Sequence, residues 1–292
     1  MQVFVYFKLN AKFTTTTEFN FMEYKTWVPT PSLAHFVKCF WTLEAPADRS
    51  QERQRIVPDG CMEMIFHYGD LFYQYLDNGT NVTQPRSFVF GQIIKPLEIA
   101  ASGKTGVFAA RFHPDGFIPF STMEIKMMDN RAVSLEQLYG EQGKTLELDV
   151  LSAATTKKRI EKVEGFLVSK LRSPEGVDAL AKSSVDLLLR SKGQVTIDSL
   201  AEQLQSSRRQ LERKFVTTIG LSPKQLSKII RFQSTLKMME QKHFTSLTAL
   251  AHNGGYFDQA HFIKDFKEFT GLSPKQFYAN NLAMSALFIG TE

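Results

Sequence analysis

A six-residue run that occurs twice constrains the fold of this chain more than any other feature. Gly-Leu-Ser-Pro-Lys-Gln stands at 220–225 and again, letter for letter, at 271–276. The residues before each run also align, because Leu-Ala occurs at both 200–201 and 250–251. Repetition of this kind indicates a supersecondary unit that is present in two copies.

Each copy has the pattern of a helix, a short turn and a second helix. Apolar residues recur at steps of three and four, which places them on one helix face, and Ser or Asp stands where an N-cap is needed. The turns are 205–207 in copy one and 254–255 in copy two. The positions that define the pattern are Ile197, Leu200, Ala201, Leu204, Ser207 (N-cap), Leu211 and Phe215, then Leu247, Leu250, Ala251, Asp258 (N-cap), Phe262, Phe266 and Phe269.

The side chains opposite those apolar faces form a candidate DNA-contacting surface. A helix-turn-helix inserts the first turns of its second helix into the major groove. Glu212 has two interpretations, since it can accept a hydrogen bond from cytosine or pair with Arg208 one turn earlier. The residues predicted to face DNA are Ser207, Arg208, Arg209, Glu212 and Arg213 in copy one, and Gln259, Ala260, His261, Ile263 and Lys264 in copy two.

A helix between the two copies sets their separation. Ser222-Pro223 has the N-cap and first-position proline that begin a helix. Roughly nineteen residues at 1.5 Å each give a rod of about 28 Å. With a helix-turn-helix packed at each end, this length approaches the DNA turn of about 34 Å. We therefore expect one chain to address two consecutive major-groove segments.

Positive charge is concentrated in the same region. The chain has a net charge of +5, yet residues 190–280 contain 14 Lys and Arg against 7 Asp and Glu. The remainder therefore carries a small negative excess. A basic segment joined to a mildly acidic one indicates a polyanionic partner for one end of the molecule, and the repeat specifies that partner as double-stranded DNA.

The first half of the chain has a β-rich pattern with frequent turns. Short runs of aromatic and β-branched residues alternate with Pro, Gly and Asp turn signals, which is typical of a barrel or a sandwich. We predict an α+β multidomain fold with a β-barrel or cupin-like domain at 1–130 and a helical connector at 131–172. An all-α domain of two helix-turn-helix units joined by a long helix follows at 173–282, with a tail at 283–292. Residues 1–21 fit either an edge strand or an extension before an internal start at Met22.

The connector contains an apolar stripe with two interpretations. Ile160, Val163, Leu167 and Leu171 fall on one face of a helix predicted over 156–171. The stripe is too short for a coiled coil. Packing on the β-rich domain is preferred to a dimer seam.

The C-terminal region resembles the double helix-turn-helix domain of AraC/XylS-type transcription regulators. The resemblance rests on Ala251 and 255–262, continuing to Phe266-Lys267 and 271–274. Copy one departs from the family at Gln205, where a glycine is usual. The resemblance implies that Arg208, Arg209 and Arg213 read bases, whereas Gln259, His261 and Lys264 contact mainly the DNA backbone.

The front half resembles more loosely a cupin-like sensor domain found in some members of that family. The resemblance rests on 55–61, 91–92 and 111–117. It implies a regulatory role without indicating a ligand. A small-molecule effector and a homodimer partner both remain open, and RNA polymerase is expected as an indirect partner.

Four side chains are candidates for ligand binding in this domain. Glu63 and His67 would share one strand face, with His113 near them, and Arg111, beside a Pro-Gly turn, could orient a polar ligand. The sequence contains no His-x-His cluster that would indicate a metal site, so we expect no cofactor. For these side chains we favour hydrogen-bonded structural roles. For Arg111 and Asp59, a structural ion pair or turn cap is preferred to a ligand contact.

Enzymatic activity is not expected, because the chain lacks a nucleophile elbow, a P-loop and a reactive-cysteine motif. A cupin-type metal enzyme, or a DNA-repair protein that uses the same domain for targeting, is the alternative. The chain contains two cysteines, Cys39 and Cys61, which fits a reducing compartment. No apolar run has the length of a membrane span, so a cytoplasmic location is expected.

Overall fold

The computed structural model describes residues 3–8, 21–47, 53–171, 178–241 and 246–279. The Ser173-Pro174 helix start and the tail at 283–292 lie outside this part of the chain. Within the initial segment, residues 3–8 form a strand at the edge of a sheet. The strands are β1 Val3–Lys8, β2 Phe21–Trp27, β3 Val37–Ala45, β4 Gln54–Ile56, β5 Glu63–His67, β6 Phe72–Tyr75, β7 Asn81–Thr83, β8 Ser87–Phe90, β9 Leu97–Ala101, β10 Thr105–Phe112 and β11 Ala132–Ser134.

The strands form two antiparallel sheets. The larger sheet has the order β1-β2-β3-β10-β5-β8-β11, and the smaller has the order β4-β9-β6-β7. An apolar layer lies between them, with Trp41 and Val107 from the larger sheet and Phe72 and Ile99 from the smaller one. Facing sheets that share such a layer form a sandwich.

The predicted β-rich domain is confirmed, with its strands in a sandwich of two open sheets rather than in a closed barrel. Among the described residues, β1 and β11 are the open edges of the larger sheet, and no strand of one sheet pairs with a strand of the other. Inward-facing residues alternate with outward-facing ones in barrels and sandwiches alike. The sequence pattern is compatible with both, and strand pairing decides between them.

Three helices of the connector cover the other face of the larger sheet: α1 Leu135–Tyr139, α2 Glu141–Ser152 and α3 Thr156–Lys170. Ser134 caps the start of α1 and forms a capping box with Gln137, whereas α2 was not predicted from the sequence. Val163 and Leu167 of α3 are fully buried in the core of the β-rich domain. The apolar stripe therefore packs on its own sheet, as preferred.

The C-terminal region is entirely helical in the residues described. Its helices are α4 Ala179–Arg190, α5 Ile197–Gln203, α6 Arg208–Ile219, α7 Pro223–Glu240, α8 Leu247–Asn253, α9 Gln259–Thr270 and α10 Pro274–Ala279. The predicted caps are confirmed, since Ser207, Ser222 and Asp258 each accept a hydrogen bond from a backbone N–H of the first turn. Two helix-turn-helix units, α5–α6 and α8–α9, thus lie on either side of α7.

Candidate nucleic-acid interface and ligand cavity

Helix α6 presents a basic face because its apolar face is completely buried. Leu211 and Phe215 have no exposed surface, and they belong to the core of the C-terminal region. The cap at Ser207, whose Oγ lies 3.2 Å from the Gln210 N–H, fixes where the helix begins. Arg209 and Arg213 are consequently exposed on the opposite side.

The arginines of α6 differ in their surroundings. Arg208 Nε lies 3.1 Å from Glu212 Oε1, and its Nη1 lies 3.3 Å from Asp198 Oδ1. This geometry shows the intrahelical pair that was one interpretation of Glu212. No described residue forms an ion pair with Arg209 or Arg213. Their guanidinium groups therefore reach solvent with all donors available to phosphates or base edges.

Helix α9 presents a less basic and more constrained face. Asp258 caps it by accepting the His261 N–H at 2.7 Å, and Gln259 Oε1 accepts a hydrogen bond from Thr248 Oγ1 at 2.8 Å. The His261 ring packs edge-on against Tyr256, with 5.3 Å between centroids. Lys264 remains exposed.

An ion network that sequence reasoning missed holds α9 against α7. Lys228 Nζ on α7 lies 3.2 Å from Asp265 Oδ1 and 2.9 Å from Glu268 Oε2, both on α9. Asp265 is 2% exposed, and its Oδ2 lies 3.6 Å from His261 Nε2. The sequence does contain one signal for this network, because Asp265, three positions after Phe262, lies on the inward side of an otherwise apolar helix face.

The turns of the two copies differ as their sequences indicate. Gln205 adopts φ +49°, in the left-handed region that glycine tolerates best, whereas copy two places Gly255 there at φ +75°. Both turns still close, since the Ser206 N–H donates to Ala201 O and the Tyr256 N–H to Ala251 O. The departure from the family pattern therefore leaves the geometry intact.

The β-rich domain contains a mostly apolar cavity between its two sheets. Its aromatic walls come from Trp41, Phe72 and Phe90. Three of the four predicted ligand residues, Glu63, His67 and Arg111, line it. His113 does not. It lies half-buried near Lys182 and Asp186 of α4, and burial lowers its pKa.

One end of the cavity is a buried ion cluster. Arg111, 2% exposed, pairs with Asp59 and lies 3.0 Å from Glu63 Oε1, which also accepts the Trp41 Nε1–H at 3.1 Å. Asp59 Oδ1 additionally accepts the Cys61 N–H at 2.8 Å. The preferred interpretation of Arg111 and Asp59 as an ion pair and turn cap is confirmed. Burial raises the pKa of Glu63, although Arg111 opposes this shift.

A neutral histidine, His67, lines the other end of the cavity. His67 is 3% exposed, its ring stacks on Phe72, and its Nε2 lies 3.2 Å from Gln84 Oε1. Burial lowers the pKa of His67 to about 4. The imidazole is therefore uncharged at neutral pH.

In the described ranges, no group of three or more His, Cys, Asp or Glu is placed to share a metal ion. Among the helices described, none combines the length and apolarity that crossing a membrane requires. Cys39 and Cys61 are both buried free thiols.

Comparison with protein families finds two separate matches in the chain. A profile described as a domain of unknown function (DUF6597) matches residues 25–134, and one described as a helix-turn-helix domain matches residues 200–280. The second match covers both copies of the repeat and α7 between them. The C-terminal domain is an AraC-type helix-turn-helix domain.

Relatives of known sequence and structure resemble parts of the chain. An uncharacterized HTH-type transcriptional regulator of Haemophilus influenzae is 38% identical over 81 residues, which is 28% of this chain and 27% of that protein. ToxT of Vibrio cholerae is 13% identical, with a TM-score of 0.43 over 86% of this chain and 98% of its own. The C-terminal domain of AraT, a response regulator from Geobacillus stearothermophilus, is 24% identical, with a TM-score of 0.34. The match covers 36% of this chain and 87% of the AraT domain. This chain thus spans about a quarter of the length of its curated relative.

Proposed function

We propose that this protein is a sequence-specific DNA-binding transcription regulator that places α6 and α9 in consecutive major grooves. The observation that carries the proposal is the exposed pair Arg209 and Arg213 on the recognition helix of an AraC-type domain. Helix α7 has 18 residues, a length of about 27 Å. That separation suits two units that bind one face of the duplex about one turn apart.

The two recognition helices have different roles in this mechanism. Arg208, Arg209 and Arg213 on α6 supply base readout, because a guanidinium can bind the O6 and N7 of guanine with two hydrogen bonds. Ser207, at the start of α6, contacts phosphate, and Glu212 sets the rotamer of Arg208. On α9, Gln259, His261 and Lys264 contact the DNA backbone, which fixes register without reading sequence.

The β-rich domain regulates the DNA-binding part through its cavity. Control by an effector is preferred to control by a dimer seam on α3, because the apolar stripe of α3 is already covered. A homodimer formed through another surface is compatible with this scheme. RNA polymerase is an indirect partner, reached through the promoter DNA that the protein occupies, and the protein acts in the compartment that holds this DNA.

Selection from a pool of random duplexes tests the DNA-binding function. The full chain should enrich a two-part site with half-sites about 10 base pairs apart. Its affinity should fall steeply as salt rises, because phosphate contacts release counterions. A pool that remains random after repeated selection at low salt would refute the proposal.

The enzymatic alternative has no observation in its favour. A cupin-type metal enzyme needs converging ligands, and Glu63, His67 and His113 do not converge, since His113 lies outside the cavity. A DNA-repair protein needs a reactive group beside the DNA-contacting surface. On this surface Ser207 and Asp258 act as helix caps, and Arg208 is held in an ion pair with Asp198.

A further inference from the structure

The cavity between the sheets has polar groups at two defined ends. Glu63, Ile65 and His67 alternate along β5 and all line it. Glu63 and His67 are four residues apart, so their Cα atoms are separated by about 13 Å. The wall between them is apolar and aromatic. A molecule that fits this space therefore has an apolar body and polar groups at its two ends.

The charge at the Glu63 end favours a cationic group. Two carboxylates, Asp59 and Glu63, converge there on the single guanidinium of Arg111. Both bonds to Glu63 use the same oxygen, Oε1. When both carboxylates are ionised, the cluster has one more negative than positive charge. A buried charge of this kind is stabilised most by a cation that also donates hydrogen bonds.

The His67 end favours a neutral hydrogen-bond donor. Because Nε2 donates to Gln84 Oε1, Nδ1 carries the acceptor lone pair. Nδ1 is buried, and no described residue lies within hydrogen-bond distance of it. A buried acceptor of this kind gains from a hydroxyl or N–H group.

We propose that the cavity binds a small amine whose ammonium group contacts Glu63 and whose apolar, preferably aromatic, body carries a hydrogen-bond donor that contacts His67. Binding of this class depends only on the cavity. The effect of the bound amine on DNA binding rests on the proposed function.

Residues 55–61 connect the cavity to the DNA-binding part. Ile56, Asp59 and Cys61 line the cavity. Next to Ile56, Arg55 Nη1 donates a hydrogen bond to Thr270 O at the end of α9, at 3.0 Å. Val57 lies in the apolar core of the C-terminal domain.

The same segment contacts α7 directly. Pro58 O accepts a hydrogen bond from Gln233 Nε2 at 2.6 Å. Gly60 lies so close to α7 that a Cβ there would approach Leu226 Cδ1 to 2.9 Å. An ammonium group at Glu63 competes with Arg111 for that carboxylate, which changes how Arg111 holds Asp59. The position of 57–60 against α7, and with it the placement of α6 relative to α9, then depends on cavity occupancy.

Trp41 provides the readout for amine binding. Trp41 lines the cavity. The chain has two tryptophans, so the Trp27→Phe variant leaves Trp41 as the only one that fluoresces. The probes are tyramine, 2-phenylethylamine and 3-(4-hydroxyphenyl)propionate, titrated with excitation at the red edge of tryptophan absorption. We expect tyramine to bind about tenfold more tightly than either other probe, because one lacks the donor for His67 and the other reverses the charge. Equal or tighter binding of the carboxylate, or no binding of tyramine, would overturn the proposal.

Paired variants locate the amine. Glu63→Gln should weaken tyramine binding about tenfold or more. Glu44→Gln is the control and should leave tyramine binding unchanged, because the Glu44 carboxylate on β3 accepts a hydrogen bond from Tyr68 outside the cavity. His67→Phe should remove the difference between tyramine and 2-phenylethylamine. Unchanged tyramine binding in Glu63→Gln would refute the assignment. Should that variant unfold, the comparison of amine with carboxylate in the parent chain decides.

The DNA arm tests the connection through 55–61. Saturating tyramine should change the affinity of the full chain for its selected duplex by about threefold or more, a modest coupling. Gln233→Met, which removes the bond to Pro58 O, should bind tyramine as before but lose this response. Tyramine binding without any effect on DNA affinity would refute the coupling. A chain that binds tyramine but no duplex would instead refute the proposed function.

Discussion

The two helix-turn-helix copies have equivalent cores and different outer faces. Phe215 in α6 and Phe266 in α9 occupy aligned positions, and both are fully buried. On the outside, α6 has two arginines that pair with no described residue, whereas α9 is tied to α7 by Lys228, Asp265 and Glu268. The repeated pattern thus fixes packing, and the residues between the apolar positions determine what each copy can contact.

This difference suggests a division of labour between the copies. A helix that ion pairs hold against α7 is well suited to fix register on the phosphate backbone. A helix whose exposed guanidinium groups form no ion pair with any described residue is suited to read base edges. Substitutions in the shared core and on the two outer faces should therefore have different effects.

Truncation of the core aromatics should have the largest effect, and a similar effect in both copies. Phe215→Ala and Phe266→Ala should each lower the free energy of unfolding by about 3–5 kcal/mol, because each leaves a cavity in a closely packed core. Denaturant titration followed by helical circular dichroism measures this loss. Phe257→Ala is the control, since Phe257 is 86% exposed, and it should shift stability by less than about 0.5 kcal/mol. A marked imbalance between the two core variants would show that the copies are not equivalent.

Removal of the buried carboxylate should affect copy two alone. Asp265→Ala should lower the free energy of unfolding by about 2 kcal/mol, because Lys228 and His261 lose a partner that is shielded from water. Glu212→Gln, which weakens the solvent-exposed pair with Arg208 in copy one, should lower the free energy of unfolding much less, because water and salt screen that pair. Thermal unfolding of both variants makes the comparison, and equal losses would contradict a special role for the α9–α7 network.

Removal of one basic side chain from each face should separate reading from anchoring. Arg209→Ala should weaken discrimination at one base pair by about 1–3 kcal/mol. Lys264→Ala should instead weaken binding to all duplexes alike and reduce the salt slope by about 1. Duplex selection and salt titration of both variants check this difference. A base preference lost in Lys264→Ala and kept in Arg209→Ala would reverse the assignment of roles.

Exchange at the turns should give the smallest effects, with opposite signs. Gln205→Gly should stabilise the chain by about 0.5 kcal/mol, since relief at φ +49° is partly offset by the flexibility of glycine in the unfolded state. Gly255→Ala should destabilise it by about 1 kcal/mol, because φ is +75° and a Cβ would lie 2.6 Å from Gln194 Cγ. Thermal melts measure both. A destabilised Gln205→Gly would mean that the Gln205 side chain contributes to the turn.

Much of the C-terminal domain could be predicted because its signals are local. N-caps at Ser207, Ser222 and Asp258, and apolar residues at steps of three and four, act within one or two helical turns. The duplication then placed equivalent positions together without any alignment to other proteins. The same local signals failed for α2, whose weak apolar pattern includes an exposed Leu148 at 67%.

The β-rich half was less predictable because its decisive contacts join distant segments. Alternation along β5 correctly placed Glu63 and His67 on one face. It did not predict that the sheets stack open rather than close, nor that His113 lies outside the cavity. Pairing between strands such as β3 and β10 settles such questions, and no signal within either strand specifies its partner.

Local patterns in the amino-acid order thus account for two helix-turn-helix units, their caps, the rod between them and the basic charge around them. Folding in three dimensions was needed to bring Asp265 to Lys228, Asp59 to Arg111, and residues 55–61 against both α7 and the end of α9. The reason is physical. A helix is specified by neighbours a few residues apart, whereas buried ion pairs and cavities form between segments that approach only when the apolar cores assemble.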